Sequence, residues 1–374
     1  MKRFIIMLAI CVAAPLALFA QRAAPEIPYD SVPNLLEIPP NMNLGEIAGV
    51  AVNSKGHIFV FSRSNTTGPA FSAAAAQLLE FGPDGEYIRE IGHNLYAFSF
   101  GHSVRVDKSD NIWVVDKGSD MVIKFNPEGQ VTLVFGRKEE ANGTAVGPKR
   151  LSPPLPAVDG YFRGVTDTAW DAAGNTFISD GYYNSRVAKV DKDGKWLKSF
   201  GTYGDGPGQL NTPHSIATDD QGNVYVANRE NHRIEVFDND GKYLRQIKFN
   251  VPFDYASAVA PIGNKPPENA NGDSNISHVS DRNGGVLASL TAYAPWSVCI
   301  TPGPNQVLYT SDAFPGRIYK ISLDGKVLGV LGHSGKQLKE FGWIHEIACP
   351  SENELYVAEL LNWRVQKLIL HPKK

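Results

Sequence analysis

The stretch PHSIATDDQGNVYVANRENHRIEVFDNDGKYLRQI, which runs from Pro213 to Ile247, contains four short apolar runs separated by polar turns. β-Branched and aromatic residues dominate the runs, whereas Asp, Asn and Gly dominate the segments between them. Runs of this kind favour β-strands, and Asp, Asn and Gly supply the backbone conformations that tight hairpins need. The stretch therefore predicts one sheet of four short antiparallel strands.

The same unit recurs six times along the chain. The copies begin near Ala48, His102, Thr166, His214, Trp296 and His345. Each copy continues into a turn, a β-branched second strand and, in most copies, a third strand and an Asp-Gly or Glu-Gly turn. Four-stranded units repeated around a ring form a β-propeller. We therefore predict an all-β fold, a six-bladed β-propeller spanning residues 45–370.

The two ends of the repeat array predict how the ring closes. The sixth copy runs out of chain after its third strand, Val365–Ile369, so its fourth strand must come from elsewhere. We expect the N-terminal segment, residues 21–44, to donate that strand near Asn34–Ile38, which would remove an open sheet edge. Residues 253–281 are rich in Pro, Asn, Gly and Ser and predict an insertion between the fourth and fifth copies.

Composition narrows the class of protein. The chain has 374 residues and a formal charge of −3, so no basic surface indicates a nucleic-acid partner. Residues 1–20 carry Lys2 and Arg3 before an apolar run that is short for a bilayer span, which predicts a signal peptide. We therefore expect a secreted or periplasmic protein with no membrane association after signal removal. Cys299 and Cys349 could be bridged or could be buried free thiols.

Histidine occupies the first position of the second, fourth and sixth copies, as His102, His214 and His345. Equivalent positions in a closed ring surround one axis, so these three imidazoles are expected to converge from alternate blades. Three converging neutral imidazoles are typical of a zinc site with an open fourth coordination position, which indicates catalysis. The alternative is a set of polar residues that line the channel and bind water.

Further polar residues are expected on the same face, because they follow the second strands of their blades. Arg63 and Arg229 carry planar guanidinium groups suited to gripping a carboxylate. Tyr182, beside zinc and arginine, would have a lowered pKa and could act as a general base. Taken singly, each of these residues is better explained by a surface or inter-blade contact; as a set on the histidine face, they support a site and such contacts equally.

Three runs carry a more specific resemblance: Ser179–Arg186 (SDGYYNSR), Thr212–Ser215 (TPHS) and Ala227–Asn231 (ANREN). They closely resemble the NHL-repeat propeller of peptidyl-α-hydroxyglycine α-amidating lyase, and the resemblance extends from about residue 45 to 368. It implies a catalytic zinc held by the three histidines. It also implies that Tyr182 takes the proton of the substrate hydroxyl, with Arg63 and Arg229 as carboxylate and electrostatic partners.

The same resemblance implies a structural calcium at the carbonyls of Val50 and Val104 and at Glu346. The family has Asp where this chain has Glu346, and it has a cysteine where this chain has Tyr183, so the associated disulfide is not expected. Strand alternation would turn Glu346 to the side opposite His345, away from the zinc. A calcium ligand and a simple hydrogen-bonded carboxylate are the two interpretations of Glu346.

We therefore expect a secreted zinc-dependent lyase that cleaves the N–C bond of a peptidyl-α-hydroxyglycine-like carbinolamide to an amide plus glyoxylate. Its partner would be a small-molecule or peptide substrate with a carboxylate. The main alternative is a non-enzymatic NHL propeller that binds a protein or ligand, because one fold serves many functions. A calcium-dependent propeller of the lactonase type would need acidic and amide ligands, which the six first positions lack.

Overall fold

The computed structural model describes residues 24–63, 76–138, 156–261 and 291–371. Their regular structure consists of β-strands apart from one 3-10 turn, Arg229–Asn231. The signal peptide predicted at residues 1–20 and most of the predicted insertion, residues 262–281, lie outside these ranges. In the described part of the chain, no helix is long and apolar enough to cross a membrane.

Six four-stranded antiparallel sheets form the blades, numbered here in chain order. Blade one consists of Ile47–Val52, Ile58–Ser62, Gln77–Phe81 and Tyr87–Ile91, and blade two of Gly101–Val106, Ile112–Asp116, Met121–Phe125 and Val131–Phe135. Blade three consists of Val165–Trp170, Thr176–Asp180, Arg186–Val190 and Trp196–Phe200, and blade four of Pro213–Thr218, Val224–Asn228, Arg233–Phe237 and Tyr243–Ile247. Blade five consists of Val298–Ile300, Val307–Ser311, Ile318–Ser322 and Val327–Leu331, and blade six of Ile344–Ser351, Glu354–Glu359, Arg364–Leu370 and Tyr29–Ser31. Two short parallel pairs, Thr202–Tyr203 with Gln209–Leu210 and His333–Ser334 with Glu340–Phe341, precede blades four and six.

The blades close into a ring around their first strands. Each first strand contacts the first strands of the two neighbouring blades, and that of blade six contacts that of blade one. A separate apolar cluster fills each of the six interfaces between neighbouring blades. Burial of β-branched and aromatic side chains between the blades thus stabilises the ring. The prediction of an all-β, six-bladed propeller is confirmed.

The strand that completes blade six lies earlier in the chain than predicted. Tyr29–Ser31 pairs antiparallel with Arg364–Leu370, whereas the predicted donor was Asn34–Ile38. Asn34 adopts a left-handed conformation with a φ of 49°, which ends the extended chain there. The leucines that made Asn34–Ile38 look like a strand instead pack against the cluster between blades six and one. Donation of the last strand from the N-terminal segment is confirmed, and its register is corrected.

A disulfide joins Cys299 in the first strand of blade five to Cys349 in the first strand of blade six. Of the two states left open for these cysteines, the structure therefore has the bridged one. The bond crosses the interface between two blades, so it ties neighbouring units of the ring together covalently.

Five of the first strands begin with a break in register at the position that the histidines occupy in blades two, four and six. The breaks lie between Ile47 and Gly49, Gly101 and Ser103, Val165 and Asp167, Pro213 and Ile216, and Ile344 and Glu346. A β-bulge re-aims side chains, so two consecutive residues can face the same side. His345 and Glu346 accordingly both line the cavity at the ring axis. Strand alternation therefore does not hold across the bulge, and that premise is corrected. Its consequence stands, because the Glu346 carboxylate contacts Val50, Val104 and Arg105 and is not part of the histidine cluster.

Candidate metal centre and active site

His102, His214 and His345 converge at the ring axis. One ring nitrogen from each lies within 4.8 Å of the other two, and the distances between ring centroids are 4.6, 4.7 and 4.9 Å. All three side chains are buried, with 3% exposure or less. This near-equilateral triangle follows from the ring itself, because alternate blades of a six-bladed propeller are related by about one third of a turn.

Backbone carbonyls of the intervening blades orient the three imidazoles. Each Nδ1 donates to the carbonyl of the next first position around the ring: His102 to Thr166 at 2.7 Å, His214 to Trp296 at 2.6 Å and His345 to Ala48 at 2.7 Å. A carbonyl can only accept, so Nδ1 carries the proton and the Nε2 lone pair faces the axis. Such a bond to the distal nitrogen is the usual support of a metal-ligating histidine.

The chemical state of the histidines suits a metal. Burial, followed by the neighbouring positive charges, lowers the pKa of all three imidazoles well below the ordinary value, which keeps them neutral as metal binding requires. Nε2 of His214 is buried and has no hydrogen-bond partner among the described residues. A buried acceptor without a partner is costly unless something binds it. The three residues therefore fit a metal ion, and neutral imidazole nitrogen suits zinc and other transition metals.

Tyr182 lies at the edge of the histidine triangle. Its hydroxyl is 3.4 Å from Nε2 of His102 and 3.4 Å from Nη1 of Arg229. Burial raises the pKa of the Tyr182 phenol, but the positive charges of Lys117, Arg229 and Arg63 outweigh it and lower the pKa to about 8. A phenol with such a pKa is partly ionised near neutral pH, so it can accept a proton.

The two predicted arginines reach the same face from opposite blades. Nη2 of Arg63 lies 3.4 Å from Nε2 of His345, and the Arg229 guanidinium lies over the Trp296 ring at 4.4 Å from its centroid. Each guanidinium already has a carboxylate partner: Arg63 pairs with Glu46 at 2.9 Å, and Arg229 with Glu230 at 2.9 Å. These ion pairs hold both cations in place beside the histidines.

Sequence reasoning missed Lys117, which completes the cationic side of the site. Its ammonium lies over the Tyr182 ring, 3.6 Å from the centroid, and 5.1 Å from the centroid of Phe100. Among the described residues it has no ion-pair partner, and burial lowers its pKa. The sequence could have indicated this residue, because Lys117 directly follows the second strand of blade two, just as Arg63 and Arg229 follow the second strands of their blades.

The residues expected to hold calcium make a different set of contacts. Glu346 accepts backbone N–H bonds from Val50 at 3.1 Å and Val104 at 3.2 Å, and its other oxygen pairs with Arg105 at 3.0 Å. Burial raises the pKa of the Glu346 carboxyl well above its ordinary value; Arg105 and the two amides oppose that rise, and the charge of Asp167 adds to it. These residues do not fit a calcium ion, because a guanidinium already occupies the cation's position beside the carboxylate.

Comparison with known proteins supports the repeat. A family model for the NHL repeat matches residues 210–237. The chain is 32% identical over 229 residues to the peptidyl-glycine α-amidating monooxygenase of Mus musculus. It is 28% identical over 216 residues to a probable peptidyl-α-hydroxyglycine α-amidating lyase of Caenorhabditis elegans. The chain is thus a six-bladed propeller with a match to the NHL repeat, and it is similar to the amidating lyases.

The matches differ in extent. The alignment covers 54% of this chain and 22% of the mouse monooxygenase, and 53% of this chain and 57% of the nematode lyase. NHL repeat-containing protein 3 of Homo sapiens is 31% identical over 181 residues, which are 45% of this chain and 47% of that protein. Among solved structures, virginiamycin B lyase from Staphylococcus aureus aligns over 92% of this chain and 100% of its own, with a TM-score of 0.54 and 12% identity, which shows the shared fold alone.

Proposed function

We propose that this NHL-repeat propeller is a zinc-dependent lyase that cleaves the N–C bond of a peptidyl-α-hydroxyglycine-like carbinolamide to an amide plus glyoxylate. The observation that carries the proposal is the convergence of three neutral imidazoles with a phenol of lowered pKa at their edge. A nucleophile or a redox centre is not needed for this reaction, which requires only polarisation of a hydroxyl and transfer of its proton.

His102, His214 and His345 would hold the zinc through Nε2, with one side of the ion open to substrate. When bound there, zinc supplies Lewis-acid polarisation of the carbinolamide hydroxyl. The Nδ1 bonds to backbone carbonyls fix the imidazoles before any ligand arrives, so little reorganisation is needed when one binds.

Tyr182 would move the proton. Its phenolate oxygen accepts the hydroxyl proton of the substrate, the oxygen electron pair forms the aldehyde C=O, and the C–N electron pair leaves with the amide nitrogen. The same phenol then returns the proton to that nitrogen, so the products are a primary amide and glyoxylate and Tyr182 is restored. Arg229, 3.4 Å from the Tyr182 oxygen, stabilises the ionised phenol through charge.

The positive charges on one side of the site would favour a substrate that carries a carboxylate. Arg63, Arg229 and Lys117 surround the Tyr182 phenol, and the first two share their charge with Glu46 and Glu230. Lys117 has no such partner among the described residues, so an anionic substrate group would meet a net positive surface. This arrangement favours a substrate whose carboxylate lies next to the carbon that carries the hydroxyl.

We also propose that the protein works in an oxidising compartment, as a secreted or periplasmic enzyme. The Cys299–Cys349 disulfide supports this location, because such bonds persist outside the reducing cytosol. The basic and apolar pattern of residues 1–20 is the matching sequence feature.

A direct assay tests the proposed reaction. Purified protein is incubated with a benzoyl α-hydroxyglycine, and glyoxylate and benzamide are measured, together with zinc per chain by elemental analysis. Equal amounts of the two products from zinc-loaded protein would support the proposal. A protein that binds no metal and releases no glyoxylate would instead be a propeller that binds a protein or ligand, which is the main alternative.

Lys117→Met is expected to move the acidic limb of the pH profile of kcat/KM to higher pH by roughly one unit. The phenol must lose its proton to act as a base, and Lys117 lowers its pKa, so removing the ammonium raises the pH at which activity appears. Lys117→Arg keeps the charge and is the matched control, with an unshifted profile. An unmoved limb in Lys117→Met, at unchanged zinc content, would contradict the assigned influence of this lysine.

A further inference from the structure

We propose that the Arg105 guanidinium is a built-in substitute for a structural metal ion at the ring axis, and that removing it would open a divalent-cation site between Asp167 and Glu346. This inference is independent of the reaction proposed above. It starts from the disagreement between the calcium that the resemblance implied and the guanidinium that the structure places there.

The hydrogen-bond and ion-pair partners of Arg105 in the described part of the chain are oxygen atoms. Its guanidinium contacts both oxygens of Asp167, with Nε 2.9 Å from Oδ1, and pairs with Oε1 of Glu346 at 3.0 Å. The remaining contacts are the Ser215 hydroxyl at 3.1 Å and the carbonyls of Val298 and Ile347 at 3.3 and 3.4 Å. Carboxylate, hydroxyl and carbonyl oxygens are the ligands that calcium takes in proteins. The cluster thus has the ligand chemistry of a hard-cation site with a guanidinium at its centre.

This cluster links all six blades, as a central ion would. Arg105 belongs to blade two, Asp167 to blade three, Ser215 to blade four, Val298 to blade five and Glu346 to blade six, and the amide of Val50 in blade one donates to Glu346. Because each blade contacts its neighbours mainly, a group that touches every blade adds a restraint that the inter-blade clusters do not provide.

The charges require a cation at this place. The side chains of Asp167 and Glu346 are 2% and 3% exposed, so two carboxylates are removed from water next to each other. A buried carboxylate is costly unless it is paired and hydrogen-bonded. In this chain Arg105 covalently supplies one positive charge beside the two carboxylates, where a bound divalent ion would supply two.

Arg105 stands at a repeat position that carries small residues in the other blades. By strand register, the positions equivalent to Arg105 in the other blades hold small residues: Ala51, Ala169, Ala217, Cys299 and Ala348. Gly49 supplies space for the carboxylate, since a Cβ there would lie 2.6 Å from Oε2 of Glu346. Arg105 is the one large side chain at this repeat position, and the Glu346 carboxylate that it contacts packs against Gly49. These features indicate a specific buried cluster and not an incidental surface ion pair.

The experiment compares calcium content and thermal unfolding at fixed zinc, with and without millimolar CaCl2. We expect the wild-type protein to contain no stoichiometric calcium and to show no change of Tm with CaCl2. Arg105→Ala, prepared without calcium, is expected to unfold roughly 5–10 °C lower, because it leaves buried carboxylates uncompensated. Added CaCl2 should raise its Tm and load about one calcium per chain, as ligand binding to the folded state requires.

Two variants separate the site from a general loss of stability. Arg105→Ala combined with Asp167→Asn and Glu346→Gln removes the charged ligands and should not respond to calcium. Lys192→Ala, which removes an exposed cation paired with the exposed Asp193, should behave as wild type. If Arg105→Ala folds only when it is produced with CaCl2, that result also supports the proposal.

Three results would overturn it. They are stoichiometric calcium that raises the Tm of the wild-type protein, a folded Arg105→Ala protein that binds no calcium, and an Arg105→Ala protein that fails to fold equally with and without calcium. None of these readouts uses lyase activity, so a failed glyoxylate assay leaves the test unaffected.

Discussion

His214→Ala is expected to remove the bound zinc and the release of glyoxylate together. His214 contributes one of three imidazoles, and its Nε2 has no partner among the described residues that could replace a metal. Loss of a group that only hydrogen-bonds to a metal ligand typically lowers metal affinity about 10–100-fold. Loss of the ligand itself should lower the affinity by more than that. Zinc per chain by elemental analysis and glyoxylate release measure the two effects on the same sample.

His93→Ala is the matched control for this substitution. His93 is an exposed histidine that pairs with Glu90, so its removal should leave zinc content, activity and Tm unchanged. A His214→Ala protein that keeps its zinc and its activity would show that the three histidines do not form the catalytic centre. Retained zinc with lost activity would assign His214 a role other than holding the metal.

Tyr182→Phe is expected to lower kcat about 10²–10⁴-fold, the usual contribution of a general base, while zinc content stays the same. Phenylalanine keeps the ring beneath the Lys117 ammonium and removes only the oxygen that faces His102. The acidic limb of the pH profile assigned to this phenol should disappear with it, because the group whose pKa is about 8 is gone.

Tyr183→Phe is the appropriate comparison, since Tyr183 is the next residue of the same turn and its hydroxyl has no assigned part in proton transfer. Full activity in Tyr182→Phe would remove this residue from the proposed mechanism. Unequal amounts of benzamide and glyoxylate from either variant would argue against the N–C cleavage itself.

The fold was predictable because its unit is local. Four strands and their turns fit within the 35 residues from Pro213 to Ile247, so hydrophobic alternation and turn residues report the whole blade. Six copies then predict the ring without any knowledge of long-range contacts. The closing strand pairs with residues far away in the sequence, so local patterns do not identify it. The apolar residues near Leu35 resemble a strand, but they are apolar because they pack between blades six and one.

The histidine triangle was equally accessible to sequence reasoning, since equivalent repeat positions become equivalent places around an axis. His102, His214 and His345 needed only a correct count of the units. Side chains that make contacts across the axis could not be predicted from repeat positions alone. Strand alternation failed for Glu346 because a bulge stands at the histidine, and hairpin patterns do not reveal a bulge.

Lys117 and Arg105 were missed for a different reason. Each stands at a repeat position where its counterparts could have drawn attention to it: Lys117 matches two arginines, and Arg105 replaces alanine or cysteine. The sequence does not show which of these positive charges form ion pairs with carboxylates. Glu46 and Glu230 neutralise the two arginines, and the folded ring shows that Lys117 has no ion-pair partner within residues 24–63, 76–138, 156–261 and 291–371.

The closure of the ring sets the order in which the active site can be assembled during synthesis. Blade six joins Tyr29–Ser31 to Arg364–Leu370, a pairing that spans nearly the whole chain and therefore forms late, after the loop-closure entropy has been overcome. His345 belongs to that blade, so a nascent chain that ends before it can offer at most two imidazoles. The complete set of three imidazoles should therefore come together only at the end of maturation, and a truncated or stalled chain should lack it.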